Sequence, residues 1–374
     1  MQKEEDLRYL IAIGLLPNIG LRYSKSLIEY FGSAREVFMA TKQDIESIPN
    51  IRPSLVSGIL EQREKALRRA DKELDFIAAH RLSAFSYQDD EYPYRLRECQ
   101  DAPILLFGKG NLNLNEGHFL SVVGTRMPTE RGKELCRKMI LEMAALNNKL
   151  TIVSGLAYGI DITAHRAALE VGLPTIIVPG HGLDRIYPAV HRNTAVEALQ
   201  NGGILTEYMA GTNPDRQNFV ARNRIVAGMS DATLVVESKE KGGALITAEM
   251  ANSYGRDVFA VPGRTDDVCS RGCNILIKQN KAMLAESGKD IIQAMQWDTN
   301  SSVDLPVQTK LFTDLTEKES TLLSILHENV EGVHINLLVM ETKMPYSEVS
   351  SLLLQMEFRA IVKSLPGGIY RALE

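Results

Sequence analysis

Apolar residues recur at helical spacing through the first 80 residues of the chain. Leu7, Leu10 and Ile11 lie three or four residues apart or adjacent, which is the spacing of one helix face. Two short segments, 16–20 and 48–52, each place a proline between apolar residues, as helix-hairpin-helix turns do. Such turns can present amides to DNA phosphates, but they also occur in domains that only pack. The pattern therefore predicts a helical domain over residues 1–80 and leaves its DNA contact open.

Short β-rich runs alternate with helical stretches between residues 81 and 295. Most runs are followed by a glycine-bearing loop and then a helical stretch. This alternation predicts an α/β domain with a doubly wound, mostly parallel sheet, which binds its ligands beyond the carboxyl ends of its strands. The predicted strands are 119–123, 151–153, 175–178, 203–206, 233–237 and 257–261.

The last part of the chain has a different pattern. Residues 296–314 are rich in Ser, Thr, Asn and Asp and contain Pro306, which predicts a linker. Residues 315–374 contain three helical stretches and then two short strands around a Pro-Gly-Gly turn, which predicts a winged helix. Its candidate recognition helix, 347–358, contains no Lys or Arg, so a protein-contact or regulatory role is favoured over duplex DNA binding.

Composition narrows the class of protein. The 374 residues are 44% hydrophobic and 24% charged, as in an ordinary soluble globular protein. A net charge of −5 argues against indiscriminate DNA coating but allows one basic groove. The sequence has no signal-peptide pattern and no membrane-spanning apolar run, and its four scattered cysteines indicate reduced thiols. We therefore expect a cytoplasmic protein without a membrane partner, a metal or a cofactor.

A basic segment stands out against this acidic background. Between residues 212 and 228 the charged side chains are Asp215, Arg216, Arg222 and Arg224, so the segment is locally positive. Phe219 lies among them. Arginine forks fit phosphate oxygens and an aromatic ring can stack on a base, which favours nucleic-acid binding. From this segment alone, a helix with structural arginines and a core phenylalanine is an equal alternative.

Glycine loops follow several of the predicted strands. Gly124-Thr125-Arg126 offers backbone amides, a hydroxyl and a guanidinium, and Ser154-Gly155 could likewise cradle a phosphate. Neither loop is a dinucleotide fingerprint, and the chain has no P-loop and no nucleophile elbow. Catalysis is therefore not expected. Together the loops predict a groove that follows the backbone of a single strand.

Taken in order, these motifs resemble those of the DNA-processing protein DprA (Smf) family. The resemblance covers about residues 80–295, and the flanks are similar to members with an N-terminal SAM-like domain and a C-terminal winged helix. The motifs that carry it are Val123–Arg126, Ser154–Asp161, Asp184-x-x-Tyr187-Pro188, Phe219–Gly228, Gly243–Ala248 and Val261–Gly263.

The resemblance implies an extended Rossmann-like domain that binds single-stranded DNA rather than a nucleotide cofactor. It implies a homodimer that protects incoming DNA during natural transformation and loads the recombinase RecA. By position, it implies DNA contacts from Gly124, Thr125, Arg126, Arg216, Phe219, Arg222 and Arg224. The chain departs from many members at 242–245, where Gly-Gly-Ala-Leu replaces Ser-Gly-Ser-Leu and removes two hydroxyls.

Two alternatives come from other classes of protein. Phosphoribohydrolases that act on nucleoside monophosphates use a glycine-rich loop that 241–249 partly matches, without its proline and third glycine. Release of free base from AMP would favour such an enzyme. A scaffold that senses a nucleotide is the second alternative, and tight mononucleotide binding without a response to longer oligonucleotides would favour it.

Overall fold

The computed structural model describes residues 2–49, 51–297, 316–329, 332–359, 361–365 and 367–372. The chain divides into two compact units, Met1–Asn300 and Ser301–Glu374. The predicted linker, 296–314, lies outside the described residues except at its start. There Trp297 is buried and stacks on His118, with ring centroids 4.9 Å apart, so the chain is still packed on the sheet at this point.

The first unit begins with five helices: α1 (Gln2–Ile13), α2 (Leu21–Phe31), α3 (Ala34–Met39), α4 (Lys42–Glu46) and α5 (Pro53–His80). Side-chain caps fix two of the starts, from Ser33 for α3 and Thr41 for α4. The first proline turn joins α1 to α2, and residue 50 of the second lies outside the described residues. The helices share a core with Ile104, Leu105 and Phe107, so the helical region packs directly on the sheet.

A nine-stranded sheet occupies the rest of this unit. Its spatial order is β1-β2-β6-β5-β4-β3-β7-β8-β9, with parallel pairing from β6 to β9 and antiparallel pairing of β2 with β1 and β6. The mostly parallel, doubly wound fold is thereby confirmed. The strands are β1 (Ser83–Ser86), β2 (Leu105–Asn111), β3 (His118–Val123), β4 (Leu150–Ser154), β5 (Thr175–Ile177), β6 (Gly202–Thr206), β7 (Ala232–Val235), β8 (Asp257–Ala260) and β9 (Met283–Leu284).

Helices cover both faces of the sheet, which explains why its central strands are apolar on both sides. α7 shows how the sequence sets this packing: Thr129 caps its start, and buried Cys136, Met139, Ile140 and Met143 form its inner face. The helices of this region are α6 (Tyr94–Arg97), α7 (Glu130–Leu146), α8 (Ile160–Glu170), α9 (Arg192–Ala198), α10 (Arg216–Gly228), α11 (Gly243–Ser253), α12 (Arg271–Lys278) and α13 (Gly288–Ala294).

The second unit is the expected winged helix. Three helices, α14 (Glu317–Glu328), α15 (Ile335–Thr342) and α16 (Tyr346–Phe358), surround a core that includes Leu338 and Leu353. A three-stranded sheet, β10 (Val333–His334), β11 (Val362–Leu365) and β12 (Ile369–Ala372), forms the wing in the order β10-β12-β11.

Candidate nucleic-acid interface

The strand order of the large sheet reverses at β3. β4, β5 and β6 follow on one side of β3, whereas β7 and β8 lie on the other, and Val123 pairs with Val235 where β3 and β7 end. Connections that leave such a pair diverge to opposite faces of the sheet and open a crevice between them. A groove of about 830 Å³ lies at this point, lined by the loops after β3 and β7, the start of α8, and α10 and α11.

The loop after β3 is held at both ends by Glu237. The Thr125 N–H donates to the Glu237 carbonyl (2.8 Å), while the Glu237 carboxylate accepts from the N–H (2.9 Å) and hydroxyl (2.6 Å) of Thr129. Gly124 is required because a Cβ there would lie 2.4 Å from Ile160. The Thr125 amide is therefore already used within the protein, whereas Arg126, between the two anchors, extends an exposed side chain into the groove.

Arg126 contacts the aromatic residue of the basic segment. Its guanidinium lies over the Phe219 ring, with 5.6 Å from Cζ to the ring centroid. Phe219 is half-buried in the first turn of α10, close to the Tyr187 ring (5.9 Å between centroids), and Arg216 lies exposed at the start of the same helix. Two segments distant in sequence thus bring a cation–π pair and a second arginine to one groove.

Arg222 lies beneath this pair and is 3% exposed. Its guanidinium donates to the carbonyl oxygens of Gly155 (2.9 Å) and Val178, at the ends of β4 and β5. Burial lowers the pKa of Arg222 to about 10, and nearby Asp161 opposes that shift, so the side chain is cationic at neutral pH. Glycine is needed at 155 because a Cβ there would lie 2.3 Å from Arg222.

Asp161 is the buried carboxyl group of the groove. Burial raises its pKa, and the positive charge of Arg222 acts in the opposite direction. The Ala157 N–H donates to Asp161 Oδ2 at 3.3 Å, which ties the loop after β4 to the start of α8. Asp161 and Arg222 are thus the buried acidic and basic side chains that line the groove.

Three of the candidate residues do not line the groove: Ser154, Gly155 and Arg224. Ser154 is fully buried and donates its hydroxyl to the Val122 carbonyl (2.6 Å), which joins β4 to β3. Arg224 is 8% exposed, pairs with Glu207 and donates to the Asp101 carbonyl at 2.5 Å. The other six candidates, Gly124, Thr125, Arg126, Arg216, Phe219 and Arg222, do line it.

Two lysines complete the groove and were not among the candidates. Lys239 and Lys241 are exposed in the loop after β7. Of the described residues lining the groove, five have basic and three have acidic side chains, so its charge is positive although the chain is acidic. The signal in the sequence was a strand end followed by two lysines and two glycines.

The described residues contain neither a candidate metal site nor a candidate membrane-spanning helix. No group of three or more His, Cys, Asp or Glu side chains that could hold a metal ion occurs there. None of the helices in the described ranges combines the length and apolar content that a bilayer-spanning helix needs.

The fold and the groove define a Rossmann-like α/β protein with a basic cleft at its switch point, followed by a winged helix. The family model of DNA recombination-mediator protein A matches residues 83–296, and that of the DprA winged helix domain matches residues 311–368. The chain belongs to the DprA/Smf family of DNA recombination mediators.

Individual relatives agree with this assignment. The chain is 31% identical to Protein Smf of Synechocystis over 97% of this chain and 98% of that protein. It is 43% identical to the DNA processing protein DprA of Streptococcus pneumoniae over 58% of this chain and 76% of that protein.

Two solved structures resemble the fold. The X-ray structure of DprA from S. pneumoniae has a TM-score of 0.67 and 36% identity, covering 76% of this chain and 97% of that one. The structure of DNA processing protein A from Helicobacter pylori, which describes its single-stranded DNA binding mode, has a TM-score of 0.52 and 30% identity. It covers 57% of this chain and 95% of that one.

Proposed function

We propose that this protein binds single-stranded DNA in the groove between β3 and β7. The observation that carries the proposal is the contact between Arg126 and Phe219, with Arg216 beside it. A guanidinium that is already over an aromatic face can pair with a phosphate while the ring stacks on the adjacent base. The single-stranded DNA binding of the H. pylori relative supports the same function here.

Arg126, Arg216, Lys239 and Lys241 would neutralise phosphates, since their side chains are exposed in the groove. Arg222 acts differently in this proposal. Its guanidinium donates to the Gly155 and Val178 carbonyls, so it fixes the ends of β4 and β5 and adds positive charge on the buried side of the groove. Ser154, Gly155 and Arg224 support the fold around the groove rather than contact the strand.

We further infer that the protein acts as a mediator without catalysing a reaction. In this role it protects incoming single strands during natural transformation in the cytoplasm and loads RecA onto them. Family membership supports this role, and the family resemblance also implies a homodimer. The edge strand β9 offers a surface for such a dimer, because Met283 and Leu284 are both exposed there.

A titration of labelled oligo-dT and of a matched duplex, each at two salt concentrations, tests the binding proposal. We expect tighter binding to the single strand and a steep decrease of affinity with salt. Equal affinity for both DNAs, or none for either, would refute it. Accelerated RecA filament formation on strands coated by a single-strand-binding protein tests the loading role.

The rival functions have their own assays. Release of adenine from AMP would replace the proposal with a phosphoribohydrolase-like enzyme. Tight binding of a mononucleotide, with no gain from a longer oligonucleotide, would replace it with a nucleotide-sensing scaffold.

A further inference from the structure

The segment that leads into the DNA-binding helix is attached to the N-terminal helical region. It runs from the end of β6 to Asp215, just before Arg216 begins α10. Met209, in its middle, packs in the core of the five N-terminal helices. The position of Arg216 therefore depends on a surface outside the sheet.

Two charged residues of α5 hold this segment through the backbone of Ala210. Glu73 Oε1 accepts from the Ala210 N–H at 2.9 Å, and Arg69 Nη2 donates to the Ala210 carbonyl at 2.6 Å. Arg69 Nη1 also donates to Glu73 Oε2 at 2.9 Å. The backbone N–H and the carbonyl of Ala210 are thus both bound by the Arg69–Glu73 ion pair.

Burial distinguishes this ion pair from an ordinary surface pair. The Glu73 side chain is 2% exposed and the Arg69 side chain 34%, whereas Arg68 and Glu64 of the pair on the same helix are 68% and 82% exposed. An exposed pair of that kind contributes little. A buried carboxylate, in contrast, depends on its partners, so the loss of either side leaves unpaired polar groups.

The opposite side of the segment is held by the loop after β5. Asp184 Oδ1 accepts from the Gly211 N–H at 2.9 Å, and Arg185 donates to the Asn213 side chain at 2.9 Å. The segment is therefore fixed from two directions immediately before α10. Release of one side would let the start of the helix move.

We propose that Arg69 and Glu73 are positioning residues for DNA binding, which act by fixing Arg216 over the groove. The inference rests on the proposed function. It assigns the helical region a role in shaping the groove, without requiring the region itself to touch DNA.

The test measures oligo-dT affinity and its salt dependence for full-length Glu73→Ala, Arg69→Ala and Arg216→Ala. Loss of one phosphate contact decreases the affinity about fourfold in 0.15 M salt and reduces the salt slope by about 0.7. We expect each α5 variant to lose up to this amount, and Glu73→Gln, which keeps an acceptor for the Ala210 N–H, to recover most of it. Glu64→Ala and Arg68→Ala are matched controls on the same helix and should bind like the parent.

A double-variant cycle separates positioning from general destabilisation. If Glu73 acts through Arg216, Glu73→Ala should have almost no further effect on binding in an Arg216→Ala background. Two outcomes would overturn this inference but leave the proposed function intact. One is additive losses in the double variant; the other is parent-like binding by Glu73→Ala and Arg69→Ala while Arg216→Ala binds more weakly. Parent-like binding by Arg216→Ala would instead remove this contact from the proposed function. If Glu73→Ala does not fold, Arg69→Ala replaces it in the cycle, alone and in the Arg216→Ala background.

Discussion

The guanidinium of Arg126 lies over the ring of Phe219, although the two residues belong to different strand–helix units. Arg126 is on a loop that Glu237 holds at both ends, and Phe219 is in the first turn of a helix. The two side chains are therefore already in contact before any ligand binds. Preorganisation of this kind reduces the entropy lost on binding.

Substitutions of Arg126 and Phe219 should affect oligo-dT binding in different ways. Arg126→Ala should weaken oligo-dT binding about fourfold in 0.15 M salt and reduce the salt slope by about 0.7, because one phosphate contact is lost. Phe219→Ala should cost about 1–3 kcal/mol of binding free energy with the slope unchanged, because stacking carries no charge. Anisotropy titrations between 0.05 and roughly 0.3 M salt distinguish them. An unchanged affinity for both variants would remove the pair from the binding site.

Arg222 should matter for stability as well as for binding. Arg222→Met keeps the aliphatic stem but leaves the Gly155 and Val178 carbonyls and the Asp161 carboxyl without the guanidinium. We expect the free energy of unfolding to decrease by about 3 kcal/mol. Arg216→Met, the exposed counterpart on the same helix, should change it by less than about 0.5 kcal/mol. Urea denaturation measures both, and equal stabilities would contradict the buried role of Arg222.

Gly180 provides a test of the ring position that leaves Phe219 itself intact. A Cβ at this residue would lie 2.9 Å from Phe219 Cδ1 and 3.1 Å from its backbone nitrogen. Gly180→Ala should therefore displace the ring or the first turn of α10 and weaken oligo-dT binding about fivefold. Gly14→Ala, whose Cβ would make only an ordinary contact at 3.6 Å, is the matched control. Parent-like affinity of Gly180→Ala would show that the exact ring position does not matter.

His165 should make the folded protein sensitive to acid. It is fully buried, with Nδ1 2.7 Å from the Thr175 hydroxyl, and burial lowers its pKa to about 3. Below the unfolded pKa of about 6.5 the unfolded chain takes up a proton that the folded chain does not, so stability falls as pH falls. From pH 7 to pH 5 this residue should cost about 2 kcal/mol. His165→Gln should lack that part of the pH dependence in urea denaturation, and an identical pH profile would contradict the assignment.

The sequence predicted the six central strands, β3 to β8, but not β1, β2 or β9. Most of these strands are mainly apolar and precede a glycine-bearing loop, which is the pattern of a strand buried on both faces. β1 reads Ser-Ala-Phe-Ser and β2 ends in Gly-Lys-Gly-Asn, so neither is apolar along its whole length. β1 pairs with β2, and β2 pairs with β6, which comes much later in the chain, so local pattern does not show where this pair of strands belongs in the sheet.

The candidate site shows a similar limit for arginine. Arg216, Arg222 and Arg224 lie within nine residues, yet the first is exposed and the other two are buried. Position along α10 alone does not reveal this, because the carbonyl groups that accept from Arg222 and the Glu207 carboxylate that pairs with Arg224 come from other segments. A guanidinium can be buried wherever such acceptors converge, and only the assembled sheet shows where they do.

The reversal of strand order at β3 also affects when the groove can first form during synthesis. Ribosomes make β3 to β6 before β7, although β7 ends up beside β3. A nascent chain that has not yet reached Gly243 lacks α11, which lines the groove opposite the loop after β3. The groove is therefore complete only after α11 (Gly243–Ser253) has been synthesised.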